Sequence, residues 1–272
     1  MKKKRRASLI NAKTLFAGPF VVFLLMMVVF PMILLLIASF RGPDGSFTFS
    51  NFGDLFTGGI PGFSAAILFR SIGIALAAAF VCLIIAYPIA YGLAMTGFKR
   101  GPTIILLFLL PMWINMLLRS FALLQLYRLV GIQDGFWALL IAIVVDYLPL
   151  MILPIYIVLS NIPKKLIEAS YDLGCKPRQA FFKTIVPLSV PGVIAGFLLV
   201  FTPAVSSYFL PHFFGNNRTF MIGQTLEALW GNPNFGFGWG SVVSLVLLLL
   251  IGASVLITNR FSKIGNKRGG LW

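Results

Sequence analysis

Charge is scarce in this chain of 272 residues: Asp, Glu, Lys and Arg make up 11% of it, and only seven residues are acidic. A soluble domain carries about 25% charged residues. With 59% hydrophobic residues and a mean hydropathy of +0.95, the chain has too few polar groups to cover a surface in water, so its solvent is lipid. Histidine is nearly absent too, with His212 alone, which removes most metal and acid–base chemistries. The two cysteines, Cys82 in an apolar run and Cys175 in a basic loop, have no C-x-x-C spacing and read as two free thiols, with no disulfide framework and no metal site. No G-x-x-x-x-G-K-[ST] phosphate-binding loop occurs, so the chain holds no ATP and any nucleotide-driven work needs a partner. The net charge of +15 invites a nucleic-acid reading, but the basic residues interrupt long apolar runs and form no stripe interleaved with aromatics.

What is abundant is uncharged sequence. A helix crossing a hydrocarbon core of about 30 Å needs about 20 apolar residues. Such runs cover residues 14–40, 71–98, 101–118, 136–160 (interrupted by Asp146), a segment within 184–217, and 235–259. Backbone groups in lipid must be satisfied internally, so these runs predict helices, and the prolines within them predict kinks that neighbouring helices absorb. The reading is an all-α membrane protein of six transmembrane helices in one domain, 1–272. Placing the N-terminus inside puts 17 of the 22 Lys and Arg residues on the cytoplasmic side, including a basic segment at 1–14 and a basic tail at 260–272. Both termini are therefore expected in the cytoplasm. The basic start imitates a signal peptide, but its apolar run is too long and no small-x-small site follows closely, so it is expected to remain as the first span.

One cytoplasmic loop, 161–187, is amphipathic. Pro163 suits a helix start. Leu166, Ala169, Ser170 and Leu173 fall on one modest apolar face, and Gly174 stands where a helix ends in a left-handed residue. Pro177 can open a second short helix with Phe181, Phe182 and Ile185 on its apolar side. The pattern predicts helix, glycine turn, helix at the membrane surface, either docking a protein or lying on lipid headgroups.

These residues resemble the Glu-Ala-Ala loop of bacterial ABC import permeases: Glu-Ala-Ala, three residues, Gly, nine residues, then Ile-x-Leu-Pro. Here Glu168-Ala169-Ser170 is followed by Tyr171-Asp172-Leu173, Gly174, nine residues, and Thr184-Ile185-Val186-Pro187. Glu168, Ala169, Gly174 and Pro187 are in register, while Ser170, Thr184 and Val186 depart by small steps. The resemblance implies a MetI-like permease fold in the bacterial inner membrane. It also implies a loop (Glu168, Ala169, Ser170, Asp172, Gly174, Pro187) that docks on a partner ATPase, and a subunit that is not itself an enzyme.

Residues 111–119, 147–156 and 186–196 further resemble the PotB-type branch, the permeases for spermidine and putrescine. That likeness implies a second homologous permease (PotC-like), a solute-binding protein outside (PotD-like) and polyamine import. Related permeases for iron, sulfur oxyanions or amino-acid-like solutes share parts of these stretches and remain the alternative; a membrane-embedded enzyme lacks a nucleophile–base pair or metal cluster. Within the fourth run, Asp146 is a costly intramembrane carboxylate that either faces a cation pathway or pairs with Arg119 or Arg128. Tyr147 and Trp113 offer aromatic faces to an alkyl-ammonium chain. Asn115 suits either a neutral pathway ligand or a hydrogen bond between helices. Glu227 and His212 are expected in outer loops.

Overall fold

The computed structural model describes residues 18–42, 45–95, 100–232 and 236–269; the basic segment 1–14, Lys99 and the last three residues lie outside them. The described residues are almost wholly helical and form two compact units, one with the residues up to Gly62 and Ala228–Leu247, the other with Phe63–Glu227 and the residues from Leu248. Among the described residues, five helices are long and apolar enough to cross a membrane, and the number becomes six when one bent pair counts as a single span.

In the first unit, α1 (Gly18–Ser39) is an uncharged rod whose apolar side chains face outward. Its turn at Leu25–Val29 is widened into a π-helix two residues before Pro31. Proline cannot donate to the carbonyl four residues back, and its ring crowds that carbonyl, so the helix loosens there. Asn51, buried in α2 (Ser50–Thr57), donates its side-chain amide to the carbonyls of Ser39 and Arg41, both at 2.9 Å, and so satisfies the end of α1. Trp239 donates its indole N–H to Asp54 at 3.0 Å.

The second unit is built on α3 (Ala65–Met95), α6 (Phe136–Ser160) and α8 (Pro177–Ser206). The buried stripe of α3 is Ala75, Ala78, Ala79, Cys82, Ala86 and Ala90, small residues at intervals of three and four that let the α6 backbone approach closely. Cys82 is buried and free, and Cys175 is half-buried and free. Gly192 and Gly196 of α8 face Pro154, Val158 and Met151 of α6; a Cβ on Gly192 would lie 2.8 Å from the Pro154 carbonyl, and one on Gly196 would lie 2.8 Å from the Met151 sulfur. The Tyr87 and Ser189 hydroxyls, 2.9 Å apart, join α3 to α8.

The third apolar run is not one helix. α4 (Gly101–Leu109) tightens into a 3-10 turn at Leu110–Trp113 and breaks at Ile114 and Asn115; α5 (Met116–Val130) leaves at 95°. Pro111 weakens the helix from within, and the Asn115 side chain accepts from the Leu117 N–H at 2.9 Å, starting a new helix. Hydropathy alone, which predicted a single span at 101–118, is blind to both signals. The second span starts earlier than its uncharged run and carries Arg70, and the fifth ends at Ser206, followed by the short α9 (Phe209–Phe214) that holds His212. Glu227 lies in a helix, α10 (Ile222–Gly231), rather than in an open loop. The last helix, α11, runs Gly236–Gly269.

The glycine contacts give a direct test. Gly192→Val and Gly196→Val should each force α8 from α6 and destabilise the bundle by about 1–3 kcal/mol, read as earlier thermal aggregation in detergent. Gly252→Val, at a position with open space around it, should leave the melting profile unchanged.

Candidate functional site

The motif at 161–187 folds as an elbow. Its first limb, α7 (Lys164–Asp172), begins directly after Pro163 and ends at Gly174, whose φ of +80° lies in the left-handed region. The Cys175 N–H bonds to the Ser170 carbonyl at 3.0 Å and the Gly174 N–H to the Tyr171 carbonyl at 2.8 Å, the two bonds of a Schellman cap. The second limb is not a separate short helix: it is the start of α8, widened at Phe181–Ile185 two residues before Pro187, as in α1 before Pro31. The Lys176 N–H is satisfied by the Gln179 side chain at 3.0 Å.

The apolar face of α7 is split between the bundle and the outside. Ser170 is buried and its hydroxyl donates to the Ile167 carbonyl at 2.6 Å, but Leu166, Ala169 and Leu173 point outward. Leu173, at the tip, is 86% exposed and Phe182 on the second limb 68%. The helix is rotated so that Ile167 and Ser170 meet the bundle, and the larger apolar groups are left without cover. Glu168 is exposed, and with Lys164 and Tyr171 it lines a cleft of about 300 Å³ closed by Ala94 and Met95 of α3 and Leu159 and Ser160 of α6. The elbow thus sits where α3 and α6 both end. Phe181 packs edge-on against Tyr91 and Tyr87 of α3, with centroids 5.1 and 6.0 Å away, and ties the second limb to the same helix.

The four residues singled out within the spans are not gathered around one opening. Trp113 lies at the corner of the bent pair, 85% exposed, and Asn115 caps α5. Tyr147 is half-buried in α6. Asp146, 5% exposed, forms an ion pair with Arg119 of α5. Arg119 also donates to the Pro111 carbonyl at 3.1 Å, so one guanidinium bridges both sides of the break and α6. An apolar cleft of about 390 Å³ between α4 and α6 is lined by Arg119 but by none of the four.

Of the two arginines that the sequence offered as partners for Asp146, the structure sets Arg119 against it, as expected of charges within a membrane span. No group of three or more His, Cys, Asp or Glu side chains suited to a metal occurs among the described residues.

Removing one partner of a buried pair costs about 3–5 kcal/mol because the other charge is stranded. Arg119→Gln should lower thermal stability in detergent by that amount, and adding Asp146→Asn should restore most of it. Equal losses in the single and double variants would show that the pair does not hold the bend.

The family described as binding-protein-dependent transport system inner membrane component matches residues 2–268. The spermidine/putrescine transport system permease protein PotB of Escherichia coli (strain K12) is 31% identical over 219 residues, covering 74% of this chain and 79% of that protein. Its Haemophilus influenzae counterpart is 29% identical over 269 residues, covering 90% and 92%. Among solved structures, a chain of a bacterial ABC transporter that imports the acidic polysaccharide alginate superposes with a TM-score of 0.68 at 16% identity, covering 96% of this chain and 98% of that one. A chain of the MetNI methionine ABC transporter gives 0.60 at 18% identity, covering 74% and 94%. The chain belongs to the binding-protein-dependent transport system inner membrane components, the permease subunits of ABC importers.

Proposed function

We propose that this permease subunit imports polyamines, spermidine and putrescine, by alternating access driven by partner ATPases. The likeness to the PotB proteins over most of the chain carries the substrate reading. Fold alone does not choose a substrate, because the alginate and methionine importers share it. ABC importer permeases work with ATPases and a binding protein; here a second, PotC-like permease and a PotD-like binding protein are the specific partners proposed. In keeping with the Lys/Arg distribution, both termini and the elbow face the cytoplasm.

The elbow is the proposed joint. Glu168, Ala169, Asp172 and Gly174 are exposed on it, Ser170 locks its inner face, and Pro187 marks where it becomes the fifth span. Exposed Leu173 and Phe182 give an ATPase groove apolar anchors, and Glu168 gives it a charge. The chain supplies no nucleotide site, so its role is transport rather than catalysis.

For the pathway, Trp113 and Tyr147 offer aromatic faces to a methylene chain and its ammonium groups, and Asn115 a polar group at the bend. Asp146 is neutralised by Arg119 in the conformation described, so it meets a cation only if that pair opens.

Gly174→Val should uncouple ATP hydrolysis from uptake, since a β-branched residue is strained at this φ. Leu173→Asp should weaken ATPase binding at least tenfold with membrane insertion intact; normal coupling in both would remove the elbow as the joint. Uptake of radiolabelled spermidine by the whole complex should be competed by putrescine and not by iron citrate or sulfate. Competition by sulfate or iron citrate alone would assign another solute.

A further inference from the structure

At the end of the second unit opposite the elbow, where α3 and α6 begin, a cleft of about 390 Å³ is lined by Arg70, Ile74, Phe136, Asn216, Arg218 and Thr219. Two guanidinium groups in one cleft repel each other unless an anion lies between them. Among the described residues neither Arg70 nor Arg218 forms an ion pair, whereas Arg119 does.

The turn that presents Arg218 is built and braced. The Asn216 N–H bonds to the Thr219 hydroxyl at 2.7 Å, and the Arg218 N–H to the Asn216 side chain at 3.0 Å. Immediately after it, the Ile222 N–H bonds to the Ser71 hydroxyl at 2.8 Å, which ties this segment to the residue next to Arg70. The two arginines are therefore held at one place by the fold.

We infer that this cleft binds the headgroup phosphate of an anionic phospholipid. Arg70 lies five residues into a membrane-spanning helix, about 7–8 Å along its axis, at a depth where a long basic side chain reaches the headgroups. Arginine matches phosphate with two parallel N–H bonds. Beside the charges, Ile74 and Phe136 add apolar wall to the cleft, which suits the top of an acyl chain. The inference stands apart from the substrate assignment, because it concerns lipid bound to the resting complex.

Native mass spectrometry of the purified transport complex, titrated with phosphatidylglycerol, tests it. The unaltered complex should hold phosphatidylglycerol at least tenfold more tightly than the double variant Arg70→Gln/Arg218→Gln. Arg70→Lys/Arg218→Lys, which keeps the charge, should recover part of the binding, and Arg128→Gln should change nothing. Phosphatidylcholine should bind weakly, and millimolar inorganic phosphate should not displace the lipid. Unchanged lipid binding in the glutamine variant overturns the inference, as does displacement by free phosphate. So does a variant that keeps its lipid and loses only its affinity for the solute-binding protein, which would make the cleft a protein-docking site.

Discussion

Close approach of three helices is the constraint on which the second unit depends. Lipid offers helices no hydrophobic incentive to associate, so contact between backbones must come from van der Waals packing of small residues. The alanine stripe of α3 and the glycines of α8 supply it, and the three helices pack against one another. Because α3 and α6 run side by side from the arginine cleft to the elbow, that packing makes them a common frame with the cleft at one end and the elbow at the other. The bent pair α4 and α5 is attached differently, through a charged bridge from Arg119 to Asp146 and Pro111. One attachment is dispersive and spread over many atoms; the other is polar and local.

Much of this was legible in sequence, for physical reasons. Uncharged length located the spans, because transfer into lipid dominates every other term, and residues 136–160 were read with their observed limits, Phe136–Ser160. The glycine turn was legible because Gly174 needs a backbone conformation that other residues resist. The break at Asn115 was not, since a cap and a proline change direction without changing hydropathy. Which part of the apolar face of α7 the bundle covers was not legible either, because periodicity groups Leu166, Ala169, Ser170 and Leu173 without saying what covers each. The partner of Asp146 was one of two arginines considered, and only three-dimensional placement separated them.

The same distinction bears on specificity. The importers of alginate and methionine show the fold serving unlike solutes, so selectivity must reside in a few side chains rather than in the bundle. The aromatic and amide groups at the bend, Trp113 and Asn115, stand near a charge already satisfied from within the chain.

Joining the second limb of the elbow to the fifth span has a mechanical consequence. Pro177–Ser206 is a single helix of 30 residues, about 45 Å long, with the second limb of the elbow at one extremity. Its contacts with α6 at Gly192 and Gly196 fall near the middle and act as a fulcrum. A push of a few ångströms delivered at the tip therefore returns as a swing of comparable size and opposite sense near Ser206, while the loosened turn at Phe181–Ile185 sets how much of the stroke is absorbed as bending.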